Sequence, residues 1–310
     1  MGTHTIIAMI PIQQVRAAAE RARPYVQRSP LVPVRDALLK LECLQPTGSF
    51  KVRGFFAAAL ALPRDQLRRG LITVSAGNAA MACAYVAHTL RVPCRVVLYD
   101  TAPPLKVEGV KRWGAEPILM PRDQMLAWLS DNEWRNEPEA FIHPFAGEEV
   151  MAGHGGIGLE LLDEVPGLER VVVAVGGGGL ISGVASALKG VKRDIEVIGV
   201  QSDGYPMWRR VFEAGGPVAI KPDTIADGTT APFDAGNFAL LKELVDRWLI
   251  VPEPRLKAAI PEIATAAKVV AEGAGALAYA ALEQLPPGAS TVAVVSGGNI
   301  DPALLASLLV

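Results

Sequence analysis

The sequence has only three cysteines, Cys43, Cys83 and Cys94, and none falls in a C-x-x-C or other metal-like spacing. An odd, scattered set speaks against a disulfide framework and against a metal module, and no metal is expected. Reduced, buried thiols in a cytoplasmic protein account for them. Basic runs are missing too. Lys and Arg are spread along a chain of net charge −2, so neither nucleic acid nor an anionic membrane is an expected partner. No stretch approaches the ~18 uninterrupted apolar residues of a membrane-spanning helix. The apolar run at residues 5–10 is short, lacks a cationic lead and has no small-residue cleavage site, so it does not read as a signal peptide.

What the sequence does have is apolar content and alternation. Half of its 310 residues are apolar, enough for a large core, and chains of about this length form one large α/β unit or two domains sharing an interface. Val15, Ala18, Ala19 and Ala22 place an amphipathic helix over residues 11–26. Strands are expected at 30–34, 37–44, 71–74, 94–98, 116–120, 171–175, 196–200, 248–251 and 291–295. Between them, helical patterns cover 79–90, 105–113, 125–132, 155–162, 180–188, 240–245, 254–270 and 275–285, with one more beginning near Gly54 and a short one at the end. Such alternation predicts an α/β fold with two mostly parallel sheets, each flanked by helices. Pro63 and the His143-Pro144-Phe145-Ala146-Gly147 segment mark crossing points. They divide the chain into a larger domain of residues 1–62 and 148–310 and a smaller inserted α/β domain of residues 63–147.

Against that frame one lysine stands out. Gln45-Pro46-Thr47-Gly48-Ser49 is a turn-forming run, and it delivers Lys51 beside Phe50 and ahead of an alanine-rich apolar stretch. A desolvated lysine there would lose its proton near neutral pH and act as an amine nucleophile toward a carbonyl or pyridoxal phosphate. Gly176-Gly177-Gly178-Gly179, followed by Leu180, lies between a buried strand and a helix start. Backbone N–H groups and the helix dipole there suit a phosphate, although a tight packing turn would leave the same signature. The run is not G-x-G-x-x-G, and Gln201 stands where a dinucleotide site would place an acid, so a dinucleotide fits poorly. Ser75-Ala76-Gly77-Asn78-Ala79 is a second strand-to-helix turn, suited to a carboxylate or to ordinary N-capping. Ser296-Gly297-Gly298-Asn299 is a third. Turns at strand C-terminal ends are where open α/β sheets bind ligands, and here they outline a site for a small molecule with a phosphate and a carboxylate.

In this order and spacing, Thr-Gly-Ser-Phe-Lys-x-Arg-Gly, Ser-Ala-Gly-Asn, Gly-Gly-Gly-Gly-Leu and Ser-Gly-Gly-Asn resemble the motifs of the fold type II pyridoxal-phosphate enzymes. Within these the chain is similar to the threonine and serine dehydratases (ammonia-lyases) and to serine racemase. The resemblance implies that Lys51 carries the cofactor and Phe50 packs beside its ring. It also implies that Asn78 bonds the ring oxygen, Ser296 faces the pyridine nitrogen, and Gly176 to Gly179 with Leu180 cradle the phosphate. Gly228 would line the ring, Glu272 would lie near the cofactor, and the turn from Ser75 to Ala79 would grip the substrate carboxylate. The implied activity is β-elimination from L-threonine or L-serine to a 2-oxo acid and ammonia, with Lys51 as general base. A homodimer or homotetramer is expected.

Departures from the family pattern qualify the substrate. Asn78 is followed by Ala79-Ala80-Met81 rather than His-x-Gln, and Ala76 stands where serine racemases carry a second serine, which disfavours racemisation. His154 replaces a glutamine, and Glu272-Gly273-Ala274-Gly275-Ala276 replaces a Glu-Pro-x-Gly-Ala pattern. Dehydration of phenylserine or 3-hydroxyaspartate is the alternative, the latter needing an additional cation. A non-catalytic small-molecule binder is a third reading, disfavoured by the intact Lys51. No appended regulatory domain is expected.

Overall fold

A run such as residues 171–175, apolar at every position, can shed water from both faces only inside a sheet covered on both sides. The computed structural model, which describes residues 9–309, builds two such sheets; most of the apolar run at residues 5–10 lies outside the described residues. β1 (Leu31–Val34) and β2 (Ala37–Leu41) form a hairpin. β3 (Leu71–Val74), β4 (Cys94–Tyr99), β5 (Glu116–Met120) and β6 (Ala140–Phe141) make the smaller sheet, in the order β5-β4-β3-β6 with every pair parallel. β7 (Arg170–Ala174), β8 (Glu196–Ser202), β9 (Arg247–Val251) and β10 (Thr291–Val295) join the hairpin in the larger sheet. Its order is β1-β2-β10-β7-β8-β9, and only the β1–β2 pair is antiparallel.

Helices α1 (Ile12–Ala22), α2 (Lys51–Ala61), α3 (Arg64–Arg69), α4 (Asn78–Leu90), α5 (Pro104–Lys111), α6 (Arg122–Ser130) and α7 (Glu148–His154) follow in chain order. After them come α8 (Gly156–Glu164), α9 (Gly179–Lys189), α10 (Met207–Ala214), α11 (Ala235–Leu244), α12 (Glu253–Ala267), α13 (Gly273–Ala280) and α14 (Pro302–Leu308). Strand alternation divides the core. Val171 and Val173 face a cluster built from α1, α2, α4, α7, α8 and α9, whereas Val172 and Ala174 face one built from α12 and α13. Each such buried valine contributes about 2 kcal/mol relative to exposure. The first cluster also takes in Leu71, Val96 and Leu98, so one apolar mass serves both sheets. Trp128 on α6 closes the far face of the smaller sheet against Ile72, Val74 and Val97.

Several boundaries differ from the sequence expectation. The helix expected near Gly54 begins at Lys51, and Glu42–Leu44 is a 3-10 turn rather than the end of a strand. Helices α3, α7 and α10 were not expected. In α7 the obstacle was composition: Gly153 and Gly155 have low helix propensity, yet α7 must pass very close to α2. A Cβ on Gly153 would lie 2.5 Å from the Ala57 Cβ and 2.7 Å from the Arg53 carbonyl.

Candidate active site

Lys51 is the first residue of α2, and the turn before it is pinned to the turn after β10. The Phe50 N–H donates to the Ser296 carbonyl at 3.0 Å and the Gly298 N–H to the Gly48 carbonyl at 2.9 Å. Gly48 takes φ +72°, and a Cβ there would lie 2.6 Å from Asn299 Oδ1, so the position suits glycine on two counts. Lys51 Nζ donates to the Pro144 carbonyl at 2.5 Å and stands 4.9 Å from the Phe50 ring centre. Burial pushes its ammonium down to about 8, with the Glu272 carboxylate pulling the other way. The amine is thus partly neutral near physiological pH.

Glu272 and Asn78 meet across the cleft. Asn78, at the start of α4, donates to Glu272 Oε1 at 2.6 Å and accepts from Asn299 Nδ2 at 2.7 Å; Asn299 also donates to the Thr47 carbonyl at 2.8 Å. Glu272 is almost fully enclosed, and burial pushes its carboxyl up to about 7, helped by Asp227 and opposed by Asn78, Lys106 and Lys51. Gly297 leaves room for it, since a Cβ there would lie 2.3 Å from Glu272 Oε1. Lys106 on α5 pairs with Asp227 at 2.8 Å, joining the helical coat of the smaller sheet to the Asp227–Thr229 turn.

The four glycines complete the circuit. Gly176 approaches Thr229 and Gly228, while Gly177 lies under the Phe145 ring and Gly179 under the Phe145 carbonyl; a Cβ on Gly179 would stand 2.2 Å from that oxygen. The N–H groups of Gly177, Gly178, Gly179 and Leu180 donate to no protein acceptor among the described residues. A closed chain of contacts therefore runs from Lys51 through Pro144 and Phe145 to the glycines, then by Gly228 to Glu272, Asn78, Asn299 and back to Thr47. Ser296 is buried, with its Oγ 3.5 Å from the Ala274 carbonyl. In the Ser75–Gly77 turn, Ser75 Oγ accepts from the Gly77 N–H at 3.1 Å, and a Cβ on Gly77 would meet nothing within 4 Å, leaving that helix start open.

Sequence reasoning did not single out the residues supporting Lys51 from behind. Arg53 is buried and donates to both Glu42 oxygens at 2.8 Å and to Glu160 at 2.7 and 3.0 Å. Lys40, fully buried, bonds Glu160 at 2.7 Å and Glu164 at 3.0 Å. The one signal was the arginine of the Lys-x-Arg-Gly motif; its partners are scattered. His154 lies inside the protein, edge-on to the Phe50 ring at 4.7 Å. Neither ring nitrogen has a partner among the described residues, and burial together with Lys51 and Arg53 drives its pKa well below the usual value. It is a neutral packing group behind Phe50. Among the described residues no group of three or more His, Cys, Asp or Glu could hold a metal ion, and no helix is long and apolar enough to cross a membrane.

The family model described as pyridoxal-phosphate dependent enzyme matches residues 22–297. The chain belongs to that family. This pyridoxal-phosphate dependent enzyme is 36% identical over 307 residues to the L-threonine ammonia-lyase of Geobacter sulfurreducens, covering 94% of this chain and 76% of that protein. It is 35% identical over 319 residues to the catabolic L-threonine dehydratase of Staphylococcus aureus, covering 97% and 91%. Among solved structures, maize serine racemase superposes with a TM-score of 0.90 at 30% identity, covering 97% of each chain. The T.th. threonine deaminase superposes with a TM-score of 0.85 at 35% identity, covering 94% and 99%. The fold is therefore that of the fold type II enzymes, and the cofactor is pyridoxal phosphate. The residues present fit it: an amine brought down to about 8, four N–H groups at a helix start without acceptors, and a buried hydroxyl at Ser296.

Proposed function

We propose that this enzyme is a lyase that eliminates water from L-threonine or L-serine and releases a 2-oxo acid and ammonia. The observation that carries this is the Lys51 amine, brought down to about 8 within the circuit of glycines, Glu272 and Asn78, in a chain whose 35–36% identical relatives are named L-threonine ammonia-lyase and catabolic L-threonine dehydratase. Lys51 would hold the cofactor's aldehyde carbon, Phe50 would flank the ring, and Gly228 would line it. Asn78 would bond the ring oxygen, Ser296 would offer a neutral hydroxyl to the ring nitrogen, and Glu272 would stand beside it. The N–H groups of Gly176, Gly177, Gly178, Gly179 and Leu180 would hold the phosphate. Bound there, pyridoxal phosphate withdraws electrons from the α-carbon of an attached amino acid and so acidifies its α-hydrogen.

The chain's own groups then do the rest. The Ser75-Ala76-Gly77-Asn78-Ala79 turn binds the substrate carboxylate at the start of α4 through the N–H groups of Ala76, Asn78 and Ala79, those of Ser75 and Gly77 being held by the Val97 carbonyl and Ser75 Oγ. Lys51 would be the base that takes the α-proton. The electron pair of the broken C–H bond forms the α–β double bond as the β-hydroxyl leaves with a proton as water, and the released enamine hydrolyses to the oxo acid and ammonia. Racemisation calls for a second proton carrier, and Ala76 supplies none. A second substrate carboxylate calls for a free cation, yet Lys106 is already paired with Asp227. We also place the smaller domain at residues 63–147, inserted into a larger one of residues 1–62 and 148–310.

The deciding experiment is an assay of oxo-acid release over serine, threonine, phenylserine and 3-hydroxyaspartate, run beside Lys51→Ala. Turnover of threonine or serine by the parent, and its loss in a folded variant, is expected. Near-normal turnover by Lys51→Ala would overturn the assignment.

A further inference from the structure

Three consecutive backbone carbonyls lead into and through the four-glycine turn, and each is held by a buried side chain from a different element. The Val175 carbonyl accepts from Gln201 Nε2 of β8 at 3.3 Å, the Gly176 carbonyl from Trp208 Nε1 of α10 at 2.5 Å, and the Gly177 carbonyl from Asn237 Nδ2 of α11 at 2.6 Å. Trp208 is fully enclosed, and Gln201 and Asn237 are each 1% exposed. Each donor is itself fixed. Gln201 Oε1 accepts from the Arg209 N–H at 3.2 Å, the Asn237 N–H donates to Asp234 Oδ1 at 2.8 Å, and the Trp208 ring packs on Phe233 at 5.7 Å.

In a trans peptide the C=O and the following N–H point in opposite directions, and the described residues contain no cis bond. Fixing the carbonyls of Val175, Gly176 and Gly177 therefore turns the N–H groups of Gly176, Gly177 and Gly178 away from the three donors. Glycine has no side chain to hold such an orientation and otherwise samples both hands of φ. We infer that Gln201, Trp208 and Asn237 are positioning residues that preorganise the glycine turn as a phosphate receptor, acting through the backbone without touching the ligand. The inference rests on the assignment of this turn to the cofactor's phosphate. It adds what makes four flexible residues a binding site: the orientation entropy is lost on folding and not on binding.

The test compares pyridoxal phosphate with pyridoxal, which lacks the phosphate, by absorbance titration of the full chain freed of cofactor. Trp208→Phe, Gln201→Met and Asn237→Leu each remove one donor while roughly keeping shape. Each is expected to weaken pyridoxal phosphate about tenfold and to leave pyridoxal affinity unchanged. Gln284→Met, which removes a 3.0 Å bond to the Ile250 carbonyl on an exposed stretch, serves as the control and is expected to alter neither. Should Trp208→Phe not fold, Asn237→Asp replaces a donor by an acceptor at constant volume and gives the same comparison. Equal weakening of both ligands would reduce the three residues to a folding role and overturn the inference, as would phosphate selectivity that survives every substitution. A parent chain that binds pyridoxal as tightly as pyridoxal phosphate would instead overturn the assignment of the turn itself.

Discussion

The side-chain amide of Asn78 donates to the carboxylate of Glu272 at 2.6 Å across 194 positions of sequence, tying the first turn of α4 to the residue that precedes α13. Asn299 holds the other end of the same amide at 2.7 Å. Glu272 is enclosed and close to the Asp227 charge, and these two favour its protonated form against the Asn78 bond, which favours the carboxylate.

A pH dependence follows from that relationship. The Glu272 carboxyl is raised from 4.5 to about 7 on folding, so between these values the folded chain holds a proton that the unfolded chain has lost. Stability from this group is fully present below about 4.5 and is lost as pH rises toward 7. Glu272→Gln should remove that slope, with a difference of at most about 3 kcal/mol between the ends of the range. Urea unfolding of cofactor-free parent and variant at a series of pH values measures it; parallel curves would refute the protonation assignment.

For Lys51 the expected signature is kinetic. Its amine becomes neutral above about 8, so the rate at which the cofactor-free chain combines with added pyridoxal phosphate should climb with pH and level off near that value. Lys51→Ala should show no covalent attachment and a fall in turnover of roughly a thousandfold or more. A plateau reached only in the ordinary lysine range would mean that the amine is solvated.

Arg53 should matter for folding as much as for the site. Glu42 is fully buried, and Arg53 Nε donates to its Oε2 at 2.8 Å. Arg53→Met leaves the Glu42 charge without a cation, held only by the Ser29 hydroxyl, and is expected to cost about 3–5 kcal/mol. Adding Glu42→Gln should recover part of the loss, which denaturant unfolding of the single and double variants will report.

Gly179→Ala tests how tightly the glycines carry Phe145. Its new Cβ would stand 2.2 Å from the Phe145 carbonyl, and the neighbouring Pro144 carbonyl is the acceptor for Lys51. Displacing that segment should weaken cofactor binding by roughly tenfold or more. Gly167→Ala, with nothing within 4 Å of the added carbon, should leave affinity unchanged.

The strands at 71–74, 116–120 and 291–295 and the turns that follow β3, β7 and β10 were legible because their signals are local: continuous apolar runs, then glycine and small polar residues. Helix α10 was missed although its signals are local as well: Pro206 ahead of it, Met207, Trp208 and Val211 at helical spacing, and Gly215 past its end. The insertion of β10 between β2 and β7 leaves no mark in any window, since parallel pairing joins segments far apart in the chain.

The sequence by itself determined the alternation of strands and helices and singled out Lys51 and the glycine turn as candidates, because each depends on neighbours within a few residues. Only the tertiary structure decided that Glu272 faces Asn78, that Arg53 answers Glu42 and Glu160, and that Gln201, Trp208 and Asn237 fix the glycine carbonyls. Burial sets the charge of Lys51 and Glu272, and burial belongs to the packed molecule, since desolvation depends on every group that displaces water from a side chain.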